Sequence, residues 1–201
     1  CIIADQLVRL QVGITCDTDS SGNIKKDSDG ITLTTEVWKY YQPGDIVCWG
    51  VGEDPARENS FNYKQANIDP LSILGLSAAS QISCGKFHTA AILENKKLIT
   101  FGAGSGDSTT GLNFKQTKIP DKFKNSAFNK VSCGGYHTIA IWAEGDTETV
   151  VGWGRGNGYL DTISGDGQYS YTNIPGKIIR MVSGDSHNIF LTEDGSVYCR
   201  G

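Results

Sequence analysis

Apolar and β-branched residues in this chain gather in short runs, each interrupted before helical spacing can establish itself. His137-Thr138-Ile139-Ala140-Ile141-Trp142 is one such run, and Glu148-Thr149-Val150-Val151-Gly152-Trp153 is another. Both read as strands. Gly145-Asp146 separates them as a hairpin turn, and Asp194-Gly195 does the same for the pair farther on. A polar, glycine-rich loop follows Trp153. Beyond it Pro175-Gly176-Lys177-Ile178-Ile179-Arg180 and Met181-Val182-Ser183 read as two further short strands. The nearest approach to a helix is Leu71 to Ala79, which is too short to hold the period.

The runs repeat. Ile82-Ser83-Cys84-Gly85-Lys86-Phe87-His88-Thr89 returns as Val131-Ser132-Cys133-Gly134-Gly135-Tyr136-His137-Thr138, and in shorter form as Val182-Ser183-Gly184-Asp185-Ser186-His187-Asn188. All three histidines of the chain sit at this one place, 49 and 50 residues apart. A second landmark keeps the register: Trp49-Gly50, Phe101-Gly102, Trp153-Gly154 and Arg200-Gly201. A third is the proline ahead of each histidine, at Pro70, Pro120 and Pro175. Such a period means one supersecondary unit used over and over. The units fall at about 1–68, 69–119, 120–174 and 175–201, the last incomplete. Val12-Gly13-Ile14-Thr15-Cys16 lays onto the third copy, with Gly13 on the repeat glycine and Cys16 in the histidine's place. Roughly twenty inserted residues then precede Trp49.

Four short strands per unit is the make-up of a propeller blade. The expected fold is therefore all-β, a partial β-propeller over 1–201 with about four blades. A propeller must close its ring or protect its edge strands. The chain accordingly reads as a segment of a longer polypeptide.

Composition narrows the function classes. The formal net charge is −4 with scattered lysines, so no basic footprint for nucleic acid stands out. No apolar run is long enough to span a membrane. Cys84 and Cys133 hold equivalent places in adjacent units, as do Cys48 and Cys199, which places them on separate sheets and reads as small buried hydrophobes in a reducing compartment.

Several motifs offer chemistry that their context withdraws. A histidine needed once per repeat is architectural, its imidazole bonding neighbouring backbone. The glycines of Gly102 to Gly106 and Gly152 to Gly156 lack the helix and spacing of a phosphate cradle, and read as turns. Asp17, Asp19 and Ser21 take the first, third and fifth places of a calcium loop, with Gly22 sixth and Ile24 eighth. Ser28 stands where a bidentate glutamate is needed, and the flanks read as strands, so the hairpin-loop reading is preferred. Trp49, Phe101 and Trp153 read as packing between units. The insertions Asp17 to Gly30, Glu53 to Asn67, Gly104 to Asn113 and Asp161 to Tyr171 read as projecting loops on a binding face.

Gly-x-x-His-Thr, a hairpin, then Trp-Gly and a glycine-rich loop together resemble the regulator of chromosome condensation repeat. The matching residues are Gly85, His88, Gly134, His137, Gly184 and His187, with Trp49-Gly50, Phe101-Gly102 and Trp153-Gly154. The resemblance is close over 82–201 and weaker over 1–81, and WD-repeat blades, which end in Trp-Asp, do not fit. It implies a propeller of about seven blades that recognises proteins without catalysis, with no cofactor and no catalytic residue. The partner implied is a protein in a cytosolic, nuclear or ciliary assembly. Its alternative is a Ran-like small GTPase, on which the chain would act as a guanine nucleotide exchange factor. Arg200 departs from the pattern, as do the loops after Phe101 and Trp153.

Overall fold

The computed structural model describes residues 2–3, 8–16, 34–41, 46–47, 78–104, 112–144, 147–165 and 167–201. The chain divides into two units, Ala4–Asp45 and the combination of Cys1–Ile3 with Ile46–Gly201. Strands are numbered in chain order. In the smaller unit β2 (Val8–Cys16) pairs antiparallel with β3 (Thr34–Tyr41), with a register shift between Gln11 and Gly13. Gly13 to Cys16 runs straight on within β2. This corrects the alignment of Cys16 with the repeat histidines, which follow a turn and stand at or just before the start of a strand, whereas Cys16 ends one.

In the larger unit β1 (Ile2–Ile3) pairs with β4 (Ile46–Val47). Three antiparallel sheets then follow in order. The first is β5 (Ala79–Cys84), β6 (His88–Leu93) and β7 (Leu98–Gly102). The second contains β8 (Ala127–Cys133), β9 (His137–Glu144), β10 (Thr147–Gly154), β11 (Thr162–Ile163) and β12 (Ser170–Thr172), in the order β11-β12-β10-β9-β8. The third is β13 (Ile178–Ser183), β14 (Asn188–Thr192) and β15 (Val197–Arg200). The first and third are meanders, as is β8-β9-β10 of the second, beside which β12 and then β11 are added; an antiparallel meander is the form a propeller blade takes.

The middle strands show why the pattern alternates so little. Along β9, Ala140 faces one core with Ala90, Ile92, Phe128 and Trp153, while Ile139 and Ile141 face another with Ile178, Met181 and Phe190. Successive side chains point to opposite faces of a strand. Buried on both faces, β9 must be apolar at almost every position. Stacking sheet on sheet therefore makes both cores, and neither sheet could hide its faces alone.

Two strand assignments need correction. Pro175 to Ser183 holds one strand, β13, with an extra residue at Ile179. The same single-residue bulge occurs at Ser80 in β5 and Asn129 in β8, so a bulge is part of the repeat, adding twist at the same level of each sheet. Asp161 to Tyr171, expected to project as a loop, instead supplies β11 and most of β12, which pairs with β10 through Val150↔Thr172 and Gly152↔Ser170. The expected turn at Asp194-Gly195 is present: Gly195 has φ 85° and Asp194 Oδ1 accepts from Thr192 Oγ1 at 2.6 Å. Gly145 and Asp146 lie outside the described residues, as do Asp17, Asp19, Ser21, Trp49 and Gly50.

Cys133 is buried, and burial pushes its thiol up to about 12. It stays a protonated, unreactive hydrophobe. Cys84 and Cys199 are exposed, which corrects the expectation that all the repeat cysteines are buried.

Candidate functional site

The Gly-x-x-His phrase is a tight turn joining the first and second strands of each sheet. In all three copies the glycine N–H donates to the histidine carbonyl at 2.8 Å, from Gly85 to His88, Gly134 to His137 and Gly184 to His187. Each imidazole folds back over its glycine. A Cβ on Gly134 would stand 2.0 Å from His137 Cε1 and 2.6 Å from the Gly184 carbonyl oxygen of the next sheet. Only glycine leaves that space.

The first two imidazoles reach across to the following sheet. His88 Nε2 meets Thr138 Oγ1 at 3.0 Å, and His137 Nε2 meets Asn188 Oδ1 at 2.9 Å. The residue that receives each ring is the one immediately after the next histidine. Thr138 spends its single proton on the Gln116 carbonyl at 2.8 Å, so it accepts from His88, which must carry its proton on Nε2. Asn188 donates its amide to the Gly158 carbonyl at 2.7 Å, which turns its oxygen to His137 and gives that ring the same tautomer. Both Nδ1 atoms are buried without a hydrogen-bond partner. Burial, with His137 nearby, lowers His88 to about 4. Burial is also the main cause lowering His137, against raising effects from Asn188 and Asp185. The two rings are neutral struts between sheets, each bonded to a side chain of the next one. His187 is exposed.

Removing the receiving hydroxyl tests this. Thr138→Val leaves His88 Nε2–H and one bond of the Gln116 carbonyl unmet, at a cost of about 2 kcal/mol. Thermal unfolding of this variant is expected some 4–8 °C lower, with Thr138→Ser close to the parent. Equal midpoints for Val and Ser would sink the tautomer assignment.

The two residues inside each turn stand at the end of the sheet. Phe87 and Tyr136 lie with ring centroids 5.7 Å apart, and Phe114 meets Tyr136 edge-on at 5.3 Å. Lys86 Nζ sits 5.6 Å from the Phe87 centroid and 5.5 Å from that of Tyr136. The Arg155 guanidinium lies 5.4 Å from Phe114 and 5.7 Å from Tyr136. Phe87 is buried, Phe114 and Tyr136 are half-buried, and both cations are exposed. The result is an aromatic floor with two cations on its rim, each cation–π contact worth about 0.5–1 kcal/mol at an exposed site.

Backbone holds this cluster in place. Arg155 N–H donates to the Tyr136 carbonyl at 2.9 Å, as Ala103 N–H does to Phe87 at 2.8 Å in the sheet before. Gly154, at φ 99°, permits the approach, since a Cβ there would lie 2.7 Å from the Tyr136 oxygen. Buried Gln116 organises the other side: its Oε1 accepts from Phe114 N–H at 2.8 Å and its Nε2 donates to the Leu112 carbonyl at 2.9 Å. Its own carbonyl also accepts the Trp153 indole N–H at 3.0 Å. Trp153 is thereby buried between two sheets, whereas Phe101 is half-buried. Beside the cluster runs a groove of about 350 Å³ lined by Phe114, Lys115, Lys118, Asp121, Gly154 and Asn157.

Arg200, which replaces the aromatic residue of the last unit, bonds Asp161 of the preceding one, Nε to Oδ2 at 2.7 Å. Hydrogen bonds from Thr172 and then Arg200 hold the Asp161 carboxyl below its ordinary range.

Residues 178–201 match the family model described as the Regulator of chromosome condensation (RCC1) repeat. The human probable E3 ubiquitin-protein ligase HERC6 is 25% identical over 169 residues, 79% of this chain and 16% of that protein. The Arabidopsis thaliana ultraviolet-B receptor UVR8 is 30% identical over 171 residues, 77% of this chain and 37% of that protein. The chain carries RCC1 repeats. It spans well under half the length of either relative. Among solved structures, Prp20p from Saccharomyces cerevisiae covers 92% of this chain and 37% of its own at 17% identity and a TM-score of 0.45. Human WBSCR16 covers 62% and 35% at 22% identity and 0.44. In RCC1-repeat terms the sheets described above are blades of an all-β propeller fold, and the aromatic–cation cluster occupies the blade ends where the Gly-x-x-His turns emerge. Among the described residues no group of three His, Cys, Asp or Glu side chains could hold a metal, and no helix is long and apolar enough to cross a membrane.

Proposed function

We propose that the chain is a non-catalytic protein-recognition module and that the blade ends carrying Lys86, Phe114, Tyr136 and Arg155 are its recognition face. One observation supports the reading above the rest: half-exposed aromatic rings, and cations that no carboxylate pairs among the described residues, converge there from successive blades on rigid turns. Aromatic residues and arginine are the side chains enriched at interface hot spots. Loops on a rigid scaffold commonly carry binding. The repeat histidines, by contrast, serve the join between blades.

The test is affinity purification from the native source with quantitative mass spectrometry. Lys86→Glu/Arg155→Glu is expected to cut recovery of the principal partner by about tenfold or more. Lys97→Glu/Lys177→Glu, at the hairpin ends of the first and third sheets, should leave it unchanged. Equal recovery in both variants would move the recognition surface elsewhere. Accelerated GDP release from a Ran-like GTPase by the parent chain would replace this reading with nucleotide exchange.

A further inference from the structure

Resting on that recognition face, we infer that its partner is an acidic linear segment of another protein, lying along the Phe114 groove with its carboxylates on Lys86 and Arg155. The chain as a whole is acidic, at a net charge of −4. Against that background Lys86, Lys115, Lys118 and Arg155 gather at one end of two blades. Among the described residues, the carboxylates at this end include Asp121 in the groove and Asp185, which lies against Gly135 beside Tyr136.

Among the described residues no carboxylate forms an ion pair with Lys86 or Arg155. Both are held by ring faces instead. An aromatic face positions a cation but does not neutralise it, so an arriving carboxylate displaces water and not a competing acid. The two cations share the Tyr136 ring, at 5.5 and 5.7 Å from its centroid. Two acidic side chains on one face of an extended segment stand about 7 Å apart, within reach of both. The half-buried Phe114 and Tyr136 offer an apolar floor to whatever lies between those acids.

A peptide suits the face better than nucleic acid does. A phosphate backbone repeats its charge at short, regular intervals. Here Asp121 and Asp185 interrupt the cations, and the net charge repels a long polyanion. A short segment can place its few acids on the cations and avoid those two aspartates.

Fluorescence anisotropy on the purified chain decides the matter. The probe is a short labelled peptide of repeated Glu-Ala-Glu-Tyr, beside its Gln-for-Glu counterpart and a labelled oligothymidylate. The Glu peptide is expected to bind, to weaken several-fold between about 50 and 300 mM salt, and to lose about tenfold or more in Lys86→Glu/Arg155→Glu. Lys97→Glu should bind as the parent does, and unchanged unfolding midpoints show that the variants fold. Equal binding of the Gln peptide, or indifference to the double substitution, overturns the inference. So does tighter binding of the oligothymidylate with the same sensitivity, which would make the face a nucleic-acid surface. If native partner recovery falls in the double variant while the Glu peptide fails to bind, the acidic segment is wrong and the recognition face stands. If recovery is unchanged, the face itself is wrong.

Discussion

Gly134→Ala should cost the fold about 3–5 kcal/mol, a large part of the stability of an ordinary domain. The new methyl carbon would stand 2.0 Å from His137 Cε1, 2.5 Å from its Nδ1 and 2.6 Å from the carbonyl oxygen of Gly184. If the ring yields, it abandons Asn188 and a site that is wholly buried, leaving its own Nε2–H unmet at about 1–3 kcal/mol, while Asn188 Oδ1 keeps the Ser183 hydroxyl. If the backbone yields, two blades part along their inner strands, with overpacking worth a further 1–3 kcal/mol or so. Either route moves Tyr136, so the proposed recognition face would loosen with the fold. Gly165→Ala is the control, because nothing lies within 4 Å of a Cβ there. Its effect should stay within about 0.5 kcal/mol. Urea unfolding of the two variants measures the difference, and coincident midpoints would refute the close packing of ring on glycine.

Acid should weaken the join between blades well before carboxylates are protonated. His88 titrates at about 4 in the fold because burial disfavours its cation, and near 6.5 in the unfolded chain. Above pH 6.5 the ring is neutral in both states and pH has no hold on it. Between 6.5 and 4 the unfolded chain binds a proton that the fold refuses, so stability declines as pH falls. The shift corresponds to about 3 kcal/mol from His88. His137, lowered for the same reason, adds to the loss in the same direction. Asp161 and Asp194, whose carboxyls sit below their usual range, contribute stability that is lost only at lower pH, through and below the ordinary carboxylate values. The check is a urea series from pH 7.5 to 4, with His88→Gln beside the parent. Glutamine can still donate to Thr138 but cannot titrate, so its slope over this window should be visibly flatter. Parallel slopes would mean that His88 is not held neutral.

Glycine, histidine and strand positions were legible because they depend on local chemistry repeated three times. The turn at Gly134 needs a missing side chain, and His137 needs a ring of one size three residues on. Both demands are written within a few positions. The hairpin at Asp194-Gly195 is equally local, as Asp194 bonds Thr192 and Ser196. The strand at Ser170–Thr172 was not legible, because three residues in a polar segment are too few to establish a period. Its pairing with Val150 to Gly152 arises only once β10 presents an open edge.

The proposed recognition face lies at the far end of the same scale. Phe114, Tyr136 and Arg155 come from a loop, a turn and a strand exit, and nothing in their spacing announces that they meet. Gln116, which aims Phe114 and receives Trp153 and Thr138, appears once, so repetition could not expose it. The short β-branched runs and the period between histidines by themselves determined that this is a blade array, since those depend on backbone geometry over short range. Which side chains bridge His88 to Thr138 and His137 to Asn188, and which rings carry Lys86 and Arg155, was decided by tertiary structure alone. The two histidine contacts join residues about fifty positions apart, and only the stacking of one finished sheet on the next brings them within bonding distance.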